Sequence, residues 1–131
     1  MAAQSFDDRD GWIWMDGEFI PHRDARVHVL THAMHYASAV FEGERAYDGA
    51  IFKSREHSER LHTSAKLLGF QLPYAAEELD RAKAELVSRQ KTPNCYMRAI
   101  AWRGSEQMGV SAKRDDVHVA ISSWVWGDYF A

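Results

Sequence analysis

The chain has 131 residues, 46% of them hydrophobic and 27% charged, which describes one globular domain with a core of its own and excludes a disordered segment. Its net charge of −3, without any basic run, argues against nucleic acid or an anionic membrane as partner. No apolar stretch approaches the roughly 20 residues of a membrane helix, and the acidic residues 1–11 lack the apolar segment of a signal peptide, so they read as a tail ahead of a domain spanning 12–131.

Along the chain, WIWM and EFIP flank Asp16 and Gly17. An Asp-Gly pair between apolar runs marks a two-residue hairpin, because both central positions take positive φ. The same device recurs at Asp48 and Gly49, which predicts a second hairpin across residues 41–53. Ser54 is placed to cap a helix that carries Leu61, Ala65 and Leu68 on one face, and Gly69 supplies a left-handed stop. A second helix is expected from near Pro73 to about Gln90, with Leu79, Ala82 and Leu86 inward and many charges outward. Residues 95–103 alternate as a strand, with Cys95, Met97, Ala99 and Ala101 on one face and Tyr96, Arg98, Ile100 and Trp102 on the other. The lone Cys95 then reads as a buried structural thiol and fits a reducing, cytoplasmic setting. After a polar loop, a last strand is expected from Val117 to about Val125. This order defines an α+β domain of two layers, a largely antiparallel sheet and two main helices. Trp124, Trp126, Tyr129 and Phe130 crowd the last eight residues and call for something to pack against, as at a domain boundary.

Several residues have a chemical reading beside a structural one. Arg60 is either paired with Glu56 at i−4 or a guanidinium clamp for a phosphate, whose oxygens a planar fork fits. Tyr96 and Arg98 lie roughly 7 Å apart on one strand face. An arginine on an inward sheet face needs an anion, either a bound carboxylate or one of the chain's own. Gly43 interrupts a strand, where glycine marks close approach by another group, and Phe41 two residues earlier points the same way, as core or as ligand wall. His28, His32 and His35 have helical spacing, but residues 26–30 are β-prone and no Cys or HExxH motif completes a metal set. Lys53, Lys66, Lys83, Lys91 and Lys113 all lie outside apolar stretches that would desolvate an imine-forming amine.

Read together, WMDGEF at residues 14–19, VHVLTHAMHYASAVFEGERAY at 27–47 and EHSERLHTSAK at 56–66 resemble the N-terminal domain of the branched-chain amino acid aminotransferases. These are fold-type IV (class IV) pyridoxal-phosphate enzymes. YMR at 96–98, MGV at 108–110 and WG at 126–127 continue the match. The YxR triplet favours this branch over the D-amino-acid aminotransferases and aminodeoxychorismate lyases of the same fold; the alternative within the fold is a D-amino-acid or (R)-amine aminotransferase, told apart by the stereochemistry of the accepted amine. The resemblance implies amino-group transfer between Leu, Ile or Val and 2-oxoglutarate, with pyridoxal 5'-phosphate as cofactor. It implies that Arg60 grips the cofactor phosphate and that Phe41 and Gly43 wall the substrate pocket. It further implies that Tyr96 orients the α-carboxylate and that Arg98 receives the glutamate side-chain carboxylate. Tyr36 and Val110 are implied to reach the pocket of a partner subunit in a homodimer with shared sites. The Schiff-base lysine is implied to belong to a second domain, so residues 1–131 are expected to be inactive alone and to hold no catalytic residue. Ala99 departs from a frequent proline after YxR. The rival of another class is a binding or dimerisation module without catalysis.

Overall fold

A computed structural model describes residues 4–111 and 116–126. Strand β1 (Trp12–Met15) and β2 (Glu18–Pro21) form the first hairpin, with Asp16 at φ 50° and Gly17 at φ 94°. Strand β3 (Ala39–Tyr47) turns through Asp48 and Gly49 into the short β4 (Ala50–Ile51). With β5 (Cys95–Arg103) and β6 (Val117–Trp124) they make one six-stranded antiparallel sheet, in the order β2-β1-β6-β5-β3-β4. Helices α2 (Ser54–Leu67) and α3 (Ala76–Gln90) cover one face, completing the expected two-layer α+β domain. No helix of the described residues is long and apolar enough to cross a membrane.

The core lies between that face and the helices. Cys95, Met97, Ala99 and Ala101 alternate into it from β5, and Leu61, Ala65, Leu79, Ala82 and Leu86 meet them from above. Burial pushes the Cys95 thiol upward in pKa, as a structural thiol requires. Three local expectations are corrected. Ser54 is the first residue of α2 and not its cap; left-handed Lys53 precedes it, and the Ser54 hydroxyl donates to Asp80 Oδ1 at 3.2 Å. Leu68 is exposed, because α2 ends there: Gly69 N–H bonds to Lys66 O, Phe70 N–H bonds back to Ala65 O, and Phe70 takes the inward place. The second helix opens at Ala76, three residues after Pro73, with the Glu78 carboxylate accepting the Ala75 N–H.

Two features have no counterpart in the sequence reading. A five-residue helix, α1 (His32–Tyr36), closes with Ala37 at φ 57°, in a stretch too short for periodicity to mark. Lys83, expected outside, is 1% exposed and meets Glu44 Oε1 at 2.8 Å and Ser54 O at 3.0 Å. Burial pushes the Glu44 carboxyl upward, and the ammonium only partly offsets it. At the other end of the sheet, Asp8 and Asp10 pair with Arg23, and Phe6 sets its ring edge-on to Trp124, so residues 5–10 lie against the domain.

Candidate functional site

Strand alternation sorts β3 between two environments. Glu42, Glu44 and Ala46 point under the helices, whereas Phe41, Gly43, Arg45 and Tyr47 stand on the opposite, open face. β5 pairs with β3 in a register that sets Gly43 beside Arg98, Arg45 beside Tyr96 and Phe41 beside Ile100. Along its other side β3 is nearly bare. β4 pairs only with Ala46 and Tyr47, and Arg45 O receives the Phe52 N–H, so residues 39–44 form an edge without a strand partner among the described residues. The open face and the helix-side layer meet along this edge.

On the open face, Tyr96, Arg98, Phe41 and Gly43 converge. The Arg98 guanidinium stacks 4.3 Å from the Phe41 ring centroid, and its Nη2 and Nε donate to Tyr96 Oη at 2.9 and 3.2 Å. Trp124 and Trp126 hold Tyr96 from behind, with ring centroids 4.9 and 4.8 Å away. They supply part of the packing that the crowded aromatic end requires; Gly127, Tyr129 and Phe130 lie outside the described residues. Gly43 is needed where it stands, since a Cβ there would fall 2.5 Å from Tyr96 Oη. The inward face is corrected, and of the two anions weighed for Arg98 the chain's own carboxylate is not found among the described residues. Arg98 is half-buried on the open face, and among the described residues it meets a phenol and three aromatic rings in place of a carboxylate. A guanidinium stacked this way keeps donors for a planar anion. Arg98 lies between residues lining two concavities. Tyr96 and Gly43 border one of about 320 Å³, and Ile100 and Trp102 border an apolar one of about 410 Å³.

Arg60 sits behind the bare edge, and its partner is not Glu56, which pairs with Lys53. Its Nε and Nη2 fork onto Glu42, at 2.8 Å to Oε2 and 2.7 Å to Oε1, and His57 Nδ1 donates to the same Oε1 at 2.6 Å. Burial works to raise the Glu42 carboxyl, but the hydrogen bonds from Arg60 and His57 outweigh it and hold the group below the ordinary range. The Glu42 side chain is 6% exposed and that of Arg60 65%, which leaves the outer edge of the fork toward solvent.

Tyr36 packs on a histidine that the sequence reading weighed as a metal ligand, and that histidine bonds to Gly109, the residue before the exposed Val110. His32 is buried; its Nε2 donates to Gly109 O at 3.0 Å, its Nδ1 lies 2.6 Å from Ser38 Oγ, and its ring packs 4.5 Å from Tyr36. No hydrogen bond or ring contact among the described residues joins Tyr36 or Val110 to Phe41, Tyr96 or Arg98. His28 lies outside α1 and accepts the Leu30 N–H, and His35 Nε2 donates to Val29 O. The sequence reading missed Glu42 and His57. Glu42 stood in view between Phe41 and Gly43, and strand alternation alone places it opposite them.

The domain is thus an antiparallel sheet with helices on one face, with the Arg98 guanidinium on its open face beside β3 and the Arg60 guanidinium bonded to Glu42 of the same strand. The Amino-transferase class IV family pattern matches residues 39–131, and the chain belongs to that family. It is 45% identical to the branched-chain-amino-acid aminotransferase of Pseudomonas aeruginosa over 95% of this chain and 42% of that one. Among solved structures it is similar to the branched-chain amino acid aminotransferase of T.th. with pyridoxamine 5'-phosphate. That match has a TM-score of 0.87 and 41% identity, and covers 94% of this chain and 42% of that one. The same enzyme complexed with N-(5'-phosphopyridoxyl)-L-glutamate matches with a TM-score of 0.85 and 41% identity, over 90% of this chain and 42% of that one. The chain thus spans about 42% of the length of these relatives.

Proposed function

We propose that this chain forms the substrate-facing part of an aminotransferase that exchanges amino groups between Leu, Ile or Val and 2-oxoglutarate. The observation that carries this reading is Arg98, stacked on Phe41, bonded to the Tyr96 phenol and without a carboxylate partner among the described residues. One pocket must accept an aliphatic side chain in one half-reaction and a γ-carboxylate in the other. Phe41 offers apolar wall to the first and the Arg98 fork receives the second, while the Tyr96 hydroxyl orients the α-carboxylate. The relative's complex with N-(5'-phosphopyridoxyl)-L-glutamate supports the glutamate half of this pair, and its complex with pyridoxamine 5'-phosphate supports the cofactor.

The residues present fit a pyridoxal phosphate at its phosphate end. Arg60 has an outward edge of N–H donors at the bare border of β3, suited to a phosphate monoester. When bound, that cofactor supplies the electron sink for amino-group transfer. No described lysine is suited to the imine role. Lys83 is locked to Glu44 beneath the helices, and Lys53, Lys66 and Lys91 are exposed. Lys113 lies outside the described residues; as the family resemblance implies, the imine lysine is proposed to come from a second domain outside residues 1–131. A homodimer in the cytoplasm, with Tyr36 and Val110 reaching the partner's pocket, completes the reading. The test is a coupled assay of the purified gene product with L-leucine and 2-oxoglutarate. Glutamate is expected to form in dependence on added pyridoxal phosphate, with D-leucine inert. No glutamate from the L-substrate would sink the reading.

A further inference from the structure

We infer that Glu42, seconded by His57, is a positioning residue that presents the outer edge of the Arg60 guanidinium to the cofactor phosphate. The inference rests on the preceding reading of Arg60. An arginine on an exposed helix face samples many rotamers, and fixing one of them takes free energy from the binding of a phosphate. Here the fixing is done beforehand. Nε and Nη2 of Arg60 direct their inward hydrogens at the two oxygens of Glu42, at 2.8 and 2.7 Å, which turns Nη1 and the second Nη2 hydrogen outward. His57 Nδ1 donates to Glu42 Oε1 at 2.6 Å, so the carboxylate is held by two residues of α2 one turn apart.

The asymmetry of burial separates this arrangement from an ordinary ion pair. A structural pair in the core would bury both members, as Lys83 and Glu44 do at 1% and 0% exposure. Glu42 is 6% exposed and its arginine 65%, so the carboxylate acts as an anchor and the guanidinium as a presented surface. Position adds a second argument. Glu42 lies on β3 between Phe41 and Gly43, where pairing of Glu42 with Ala99 fixes the strand against β5. The phosphate donor and the pocket wall are thereby held in register by consecutive residues of one strand.

The test measures binding of pyridoxal 5'-phosphate and of phosphate-free pyridoxal to the purified gene product by equilibrium dialysis, for Arg60→Gln, Glu42→Gln and His57→Gln. Arg60→Gln is expected to weaken the phosphorylated ligand by at least about tenfold and leave pyridoxal unchanged. If it changes neither, Arg60 is no phosphate anchor, and the present inference falls with that reading. Given a selective loss in Arg60→Gln, Glu42→Gln is expected to lose about tenfold for the phosphorylated ligand alone, because Gln supplies one acceptor where two are used. Unchanged or tighter binding, or an equal loss for both ligands, overturns the inference and leaves the anchor standing. Should Glu42→Gln not fold, His57→Gln carries the test. A selective loss of about threefold is expected, and no loss overturns the inference.

Discussion

The hydroxyl of Tyr96 occupies the space that a side chain at Gly43 would fill: a Cβ built there lies 2.5 Å from Oη and 3.2 Å from Cζ. Tyr96 has little room to yield, because Trp124 and Trp126 pack on its ring and Arg98 is bonded to its oxygen. Gly43→Ala should therefore cost about 1–3 kcal/mol in urea unfolding. In that background Tyr96→Phe removes the oxygen and should recover more than half of the loss, a coupling that independent sites would not show. Additive effects would mean that the two residues do not share the space.

On the proposed reading, Arg98 separates the two half-reactions. In the gene product, Arg98→Met should lower kcat/KM for glutamate by about 100-fold, as loss of a charged partner to a carboxylate does. The value for leucine should change by less than about fivefold, since Met retains apolar contact with Phe41. Equal losses for both substrates would place Arg98 at a carboxylate they share.

The Lys83–Glu44 pair concerns stability and not the site. Lys83→Met leaves a carboxylate buried without its cation and should cost about 3–5 kcal/mol in denaturant unfolding at pH 7. Joining it with Glu44→Leu should return stability to wild-type level or above, since an apolar pair of similar size avoids the desolvation of two charges.

His118 donates to Asp16 Oδ2 through Nδ1 and to Glu106 Oε2 through Nε2, both at 2.7 Å, an arrangement that requires the imidazolium. Burial alone would lower its pKa, but the hydrogen bonds to Asp16 and then Glu106 outweigh it and raise the group above 6.5. A raised histidine stabilises fully below its unfolded value of about 6.5 and loses that contribution as pH rises through the folded value. Thermal unfolding followed upward from pH 6 should show Tm falling more steeply for the wild type than for His118→Gln. Parallel curves would contradict the assignment.

How far the fold could be read in advance depended on whether the cause was local. The two hairpins were legible because Asp-Gly fixes a turn from two residues, and β5 because its alternation is unbroken from Cys95 to Ala101. Leu68 was misplaced because helical spacing does not show where the helix ends, and the bond from Phe70 back to Ala65 decides that. Glu56 was the one partner weighed for Arg60, beside a phosphate, because only neighbours along a helix are visible in spacing; the arginine's partner lies 18 residues away, on a strand. Lys83 was turned outward for the same reason, since nothing in α3 announces Glu44 beneath it. The roles of Phe41, Tyr96 and Arg98 came from resemblance, whereas their convergence needed the pairing of β3 with β5.

The alternation of β3 has a consequence for how such a domain can change. Its odd-numbered residues stand on the open face and its even-numbered ones hold the layers together, so on the proposed reading selectivity and folding are encoded on interleaved positions of a single strand. Phe41, 54% exposed, can be exchanged for side chains of other shapes at small cost to the fold, while the neighbouring Glu42 cannot. A family built on this strand can diversify its substrates one position at a time without first surrendering stability.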